Sequence, residues 1–306
     1  MLQALINALS LGSAYALLAL GFVLILNATS AVNFAQGDMV MAGGYVAIAI
    51  APLLAPHLGA SGVMLLPFVI VFMVALGLAF SLLAYFPLKS RPPVSVFIST
   101  IAFGIIFQNG ANAIFGAAPL GAPPLLGGGQ IEALGASVSV QSVAVIGVAA
   151  ILILIQWWLF AKTPLGRRLR ATAQDRGMAE AVGIRVNWMI ALTFGLAAAL
   201  AGAAGLLLAN TFFVSPTDGS NYIIKAYIAV TIGGWGSLPG AVLGALLIAL
   251  FEVIYPSLPA LVGLTAAWGQ IAFSQTMSTI ILYAVVLAIL FFRPQGIFGE
   301  VIQRRA

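Results

Sequence analysis

Apolar residues in this 306-residue chain come in long blocks separated by short polar connectors. Nine blocks stand out, near residues 3–26, 38–56, 62–86, 94–116, 140–160, 188–210, 221–234, 239–256 and 271–292. Most approach the roughly 20 residues that a helix needs to cross a bilayer. The pattern predicts an all-α fold, a polytopic bundle of transmembrane helices with about 8–10 membrane segments. The seventh block is short, which suits a re-entrant or broken helix. No polar stretch is long enough to form a second domain, so residues 1–306 are read as one membrane domain.

Glycine and proline refine this picture. Leu238-Pro239-Gly240 separates two apolar runs, and Gly240 with Gly244 sets small residues on one helical face. The stretch 195–205 is nearly all Ala and Gly. Small residues let backbones approach closely where lipid supplies no hydrophobic drive to association. A faint internal echo is also present: in each half an Ala/Gly-rich helix runs into Asn and Phe, at Asn33-Phe34 and at Asn210-Thr211-Phe212. Inverted repeats with interrupted helices are common along transport pathways.

Composition fixes the solvent. The chain is 62% hydrophobic and 6% charged, against about 25% charged in soluble domains. The net charge of +5 reflects membrane topology rather than nucleic-acid binding. Six basic residues, Lys162, Arg167, Arg168, Arg170, Arg176 and Arg185, share one connector. Lys89 and Arg91 follow the third block, and Arg293, Arg304 and Arg305 follow the last. The connector 117–139 has Glu132 and no basic residue, and 211–220 has only Asp218. The positive-inside rule places residues 88–93, 162–187 and the C-terminus in the cytoplasm. Nine crossings then put the N-terminus outside, and an even number would move it inside. Residues 1–26 lack the positively charged region of a signal peptide, so the first helix is expected to be retained.

Chemistry is scarce. The chain has no cysteine, which excludes thiolate metal sites and Cys nucleophiles. It has no GxxxxGK[ST] loop, no HExxH and no GxSxG elbow, so neither metal ligand, cofactor site nor catalytic residue is expected. The one histidine, His57, follows Pro56 at a helix end and is read as interfacial. Gly234-Trp235-Gly236 is no dinucleotide turn, because no strand precedes it. Asn27-Ala28-Thr29 matches a glycosylation sequon but abuts the membrane. Only Asp38, Lys225 and Glu252 fall near or within apolar blocks. Asp38 follows the break Asn33-Phe34-Ala35-Gln36-Gly37, which combines amides with a glycine that permits irregular backbone. Its carboxylate suits either the N-cap of the second helix or, with Asn33, Gln36 and Gly37, the lining of a translocation pathway. Lys225 is placed near an interface to snorkel, and Glu252 near the outer end of its helix.

The connector 162–187 is longer than topology requires. Thr163-Pro164-Leu165-Gly166-Arg167-Arg168-Leu169-Arg170 leads into an Ala-rich helical centre holding Asp175 and Ala179, a glycine stop at Gly183 and a hydrophobic tail. An amphipathic helix there suits docking into the groove of a soluble partner.

From Thr163 through Gly205 the sequence resembles the branched-chain amino acid ABC transporter permease family, of the high-affinity leucine/isoleucine/valine import type. The resemblance extends to Gly12-Ser13-Ala14-Tyr15-Ala16-Leu17-Leu18-Ala19-Leu20-Gly21 and to Val32-Asn33-Phe34-Ala35-Gln36-Gly37-Asp38. It includes Gly233-Gly234-Trp235-Gly236-Ser237-Leu238-Pro239-Gly240-Ala241 and the tail Phe292-Arg293-Pro294-Gln295-Gly296-Ile297-Phe298-Gly299. The family often has His and Glu where this chain has Gln36 and Asp38.

The resemblance implies one permease subunit, without catalytic activity of its own, in an ATP-driven importer of the bacterial inner membrane. Its partners would be a second homologous permease, two cytoplasmic ABC ATPase subunits that use the ATP, an extracytoplasmic solute-binding protein and the lipid bilayer. Thr163, Gly166, Arg167, Arg168, Arg170, Asp175, Ala179 and Gly183 would belong to the ATPase-coupling segment. The implied cargo is a branched-chain or other apolar amino acid, with urea or short amides as the neighbouring possibility. From the residues alone, a stand-alone ion-coupled transporter or channel using Asp38 and Glu252 remains the alternative.

Overall fold

The structure, a computed structural model, describes residues 2–58, 61–127, 129–133, 136–259, 273–293 and 295–296. Arg304 and Arg305 lie outside the described residues, as does much of the tail from Phe292 to Gly299. Two long helices form the centre: α1 (Leu2–Thr29) and α8 (Val186–Phe212). Between them come α2 (Gln36–Leu58), α3 (Gly62–Phe80), α4 (Pro93–Phe115), α5 (Val140–Lys162), α6 (Pro164–Gln174) and α7 (Arg176–Ala181). After α8 follow α9 (Asp218–Gly233), α10 (Leu238–Ile254) and α11 (Gln275–Phe292). Eight of these helices are long and apolar enough to cross a membrane; α9, at 16 residues, is the short exception that its sequence predicted. A small antiparallel ribbon in the connector 117–139, β1 (Gln130–Ala133) with β2 (Ala136–Ser139), was not legible from the hydrophobic pattern.

Burial sorts the helices as their small residues require. α1 and α8 are buried along most of their length, whereas α4 and α11 turn most of their apolar side chains outward. Outward-facing Leu, Ile and Phe would be a liability in water, and in a bilayer they face their proper solvent. The core is built at close range. A Cβ on Gly43 would meet the Gly202 backbone, and one on Gly205 the Val40 carbonyl. This confirms the tight packing expected of 195–205. Gly240 lies on Gly233, and Gly244 on Ala229, so the predicted small-residue face of α10 seats on α9.

The faint echo in the sequence is a real architectural repeat in which the two halves run in opposite senses. α1 packs mainly on α10, and α8 packs in the corresponding way on α3. Both pairs are antiparallel: Gly12 faces Leu246 while Asn27 faces Gly236, and Gly77 faces Phe194 while Gly202 faces Met73. α1 and α8 each end on a non-glycine residue in the left-handed region, Ser30 (φ 55°) and Phe213 (φ 62°). That conformation is uncommon for serine and a genuine outlier for phenylalanine. Each break is followed by a helix that starts within the bundle, α2 in one half and α9 in the other.

Four contacts establish the polarity of the bundle. Asn7 lies near Ser142 at the start of α5, with Ser142 Oγ 3.4 Å from Asn7 Oδ1, so α1 and α5 begin at the same end. Arg176 donates to the Ala28 carbonyl at 2.8 Å, so α1 finishes at the end carrying α6 and α7. Lys89 donates to Asn187 at 3.1 Å, and Gly296 packs on Thr231 and Gly234. The three described basic regions therefore share one end. Leu120–Leu125, the ribbon and the α8–α9 connector cluster at the other, where Leu120 and Val214 exchange backbone hydrogen bonds of 2.9 and 2.7 Å.

Candidate functional site

The two interrupted helices meet. Gly37 in the first turn of α2 lies so close to Gly219 in the first turn of α9 that a Cβ on either would clash. A helix N-terminus exposes unpaired N–H groups and carries a partial positive charge. Two such ends converge here, inside the bundle rather than at its surface.

The polar side chains at this junction fall into two groups. Asn33 and Gln36 face inward and serve the backbone. Asn33 Oδ1 accepts from the Ala35 N–H at 3.1 Å, Asn33 Nδ2 donates to Gln36 Oε1 at 3.3 Å, and Gln36 Nε2 donates to the Ala197 carbonyl at 3.0 Å. Asn33 thus closes a turn just ahead of α2, and Asp38, in the first turn of the helix, gives its carboxylate to Gln108 of α4 instead of capping. Asp38 is 4% exposed and points toward α4 and α9. Its Oδ1 accepts from Gln108 Nε2 at 2.8 Å, and the same nitrogen lies 3.3 Å from Ser220 Oγ. Gly104 of α4 leaves room for the other carboxylate oxygen. Asp38 has no ion-pair partner among the described residues. On α4, Ile101, Ile105 and Asn109 beside this cluster are exposed. A carboxylate held by one glutamine, beneath an open helix face and beside two helix N-termini, can meet both ends of a zwitterion.

Sequence reasoning missed Gln108 and Ser220. Gln108 stands in a helix whose neighbours give no hint that it faces Asp38. The only usable signal was that it is one of few polar side chains in the fourth block.

Lys225 and Glu252 form an ion pair of 2.6 Å, at 11% and 16% side-chain exposure, which corrects the snorkelling expected of Lys225. Gln275 Nε2 donates to Glu252 Oε1 at 3.2 Å, and Tyr15 Oη approaches Oε2 at 3.4 Å. The cause is register. With Gly233 on Gly240 and Ala229 on Gly244, antiparallel continuation puts residue 225 opposite 248, one turn from Glu252. A charge paired and hydrogen-bonded on all sides is a poor ion-coupling group.

At the basic end, the connector forms two helices rather than one. Thr163 caps α6, its Oγ1 accepting from the Gly166 N–H at 3.0 Å. Gly166 crosses α5 where a Cβ would strike the Leu159 and Phe160 carbonyls. Arg167, Arg168 and Arg170 project from α6 while Leu169 and Thr172 are buried. Asp175 is extended, so it ends α6, and its Oδ1 accepts from the Met178 N–H at 3.0 Å to start α7. Ala179 packs inward, and Gly183 (φ 82°) lets the Ile184 N–H close on the Ala179 carbonyl at 2.9 Å. Met178 (64% exposed) and Val182 (71%) are left on the tip of α7. All eight residues expected in a coupling segment therefore lie in one short unit, tied to α1 by Arg176.

Comparison with known proteins identifies the family. The family described as the branched-chain amino acid transport system permease component matches residues 4–292. The chain is 33% identical to the high-affinity branched-chain amino acid transport system permease BraD of Pseudomonas aeruginosa, covering 98% of this chain and 96% of that protein. It is 32% identical to the corresponding LivH of Escherichia coli K12, with the same coverage. A partial likeness, 32% over 47% of this chain and 44% of the other, links it to the autoinducer 2 import permease LsrC of Salmonella paratyphi B. With eight apolar spans and a match over nearly its whole length, this multi-pass membrane protein belongs to the family of branched-chain amino acid transport permease components.

Proposed function

We propose that the chain is the permease of an ATP-driven importer for branched-chain amino acids, with the α6–α7 end in the cytoplasm; the short α9 returns the chain to that end as a ninth crossing, which leaves the N-terminus outside. A second, homologous permease completes the pathway. One of two ATPase subunits seats on α6 and α7, the other on the second permease, and an external binding protein delivers substrate to the opposite end. The observation that carries this reading is the α6–α7 unit: a basic helix, then a capped apolar tip, fixed by Arg176 to the end of the most buried helix. Met178 and Val182 supply an apolar anchor for a groove, and Arg167 and Arg168 supply steering charge.

The substrate reading rests on the convergence of α2 and α9. Asp38 offers a counter-charge to an ammonium, and the two helix N-termini favour a carboxylate. The relatives' printed substrates, branched-chain amino acids in BraD and LivH, match an aliphatic zwitterion.

Charge reversal at Arg167 and Arg168 together tests the coupling. The double variant is expected to retain at most about a tenth of the co-purified ATPase, a loss of about 1.4 kcal/mol in docking, while still capturing the binding protein. Unchanged ATPase retention sinks the coupling assignment. Uptake that persists without ATPase and follows an ion gradient sinks the importer reading.

A further inference from the structure

A second site lies on the outer wall of the bundle, at the α6–α7 end and away from the α2–α9 junction. α1, α5, α6 and α10 enclose an apolar groove of about 1000 Å³. Its walls come from Leu20 and Leu24, from Ile153 and Trp157, and from Val242 and Leu243. Two features separate it from ordinary lipid-facing surface. Gln156 lines the groove at 6% exposure, and its side-chain nitrogen has no hydrogen-bond partner. Arg170 and Gln174 of α6 stand on the same groove. Arg170 thereby parts company with Arg168, which lines a separate hollow with Val182 and Trp188.

A buried amide donor left unpaired costs about 1–3 kcal/mol, so the groove as it stands lacks an acceptor. A transmembrane helix laid into it would supply one only through a polar side chain, because its backbone carbonyls are already bonded within the helix. A phospholipid supplies one directly. Gln156 lies a turn and a half from the end of α5, about 9 Å in at 1.5 Å per residue. The groove therefore presents, from inside to mouth, an apolar channel, a hydrogen-bond donor and a cation. That order matches acyl chains, ester carbonyls and phosphate.

We propose that this groove is a binding site for one anionic phospholipid of the leaflet on the α6–α7 side. Its acyl chains lie along α1, α5 and α10, an ester carbonyl accepts from Gln156, and its phosphate pairs with Arg170. The bound lipid then fills the space between the basic helix and the central helix.

The test is native mass spectrometry of the full chain purified with an equal mixture of phosphatidylglycerol and phosphatidylcholine. The wild-type chain is expected to retain one phosphatidylglycerol in preference to phosphatidylcholine. Gln156→Leu should lower that retention about fivefold, the factor that one hydrogen bond of about 1 kcal/mol supplies. Because it deletes an orphaned donor, this variant should also melt no lower than wild type without added lipid, yet lose the thermal gain that phosphatidylglycerol confers. Arg170→Gln should abolish the preference for phosphatidylglycerol. Equal retention of the two lipids by wild type overturns the proposal, as does a Gln156→Leu chain that binds and gains as wild type does. A photo-crosslinker at Leu243 that captures polypeptide instead of lipid overturns it as well.

Discussion

The two halves of the molecule share one plan and use their charges differently. In the first half, the helix after the break carries Asp38, which leans on a neutral glutamine beneath an open face. In the second, the helix after the break carries Lys225, which is locked to Glu252, with Tyr15 and Gln275 around the pair. Both lie in apolar surroundings where an uncompensated charge is costly. A charge that is fully compensated is a fixture of the architecture. One left with a single neutral partner is, on the proposed reading, the charge that meets a solute.

The sharpest way to break the comparison is to separate the halves where they touch. Gly219→Leu drives a side chain into Asp38 and the α2 backbone. Overpacking alone typically costs about 1–3 kcal/mol, and here it also drives the buried Asp38 carboxylate off Gln108, so the loss is expected to exceed that of every variant below. No monodisperse folded protein is expected on gel filtration in detergent.

Next in size is the ion pair. Lys225→Met or Glu252→Gln alone strands a mostly buried charge and is expected to cost about 3–5 kcal/mol, read as a fall in the thermal midpoint. Replacing both residues by Met should recover most of that loss. A double variant as unstable as the singles would show that the pair is not the relevant coupling.

Asp38→Asn separates the two roles. The isostere keeps the volume and the contact with Gln108, so stability should change by less than about 1 kcal/mol. Uptake of leucine, isoleucine and valine into membrane vesicles should fall at least about tenfold, the loss of about 1.4 kcal/mol of charge complementarity. A variant as unstable as Lys225→Met, with normal uptake per folded molecule, would make Asp38 structural and erase the contrast.

The smallest effect belongs to the cap of α6. Thr163→Ala removes the acceptor for the Gly166 N–H, at a cost of about 1 kcal/mol. It should fray α6 locally, seen as faster amide exchange over 165–168, while the central helices keep their protection.

What the sequence revealed follows from the range of each interaction. Helix positions, the glycine faces on α8 and α10 and the common end of the basic connectors depend on local pattern and on charge sign, and both are printed along the chain. The caps at Thr163 and Gly183 are equally local. The cluster of Asp38, Gln108 and Ser220 spans three helices, and nothing near Gln108 marks its partner. Lys225 and Glu252 looked like separate residues because only the register of α9 on α10 brings them together. The repeat was faint because what it preserves is a long buried helix, a break with a positive-φ residue and an antiparallel partner, with little amino-acid identity.

The pairing of α1 with α10 and of α8 with α3 has a consequence for biogenesis. α1 leaves the ribosome first, yet the surface it fits best is made more than 200 residues later, at about 5–20 residues per second. Until then it must wait in lipid with Gly12 uncovered, held by its own backbone hydrogen bonds. A nascent chain stopped after α7 is thus a set of inserted helices without their lock. The last two fifths of translation are what turn an inserted polypeptide into a closed bundle.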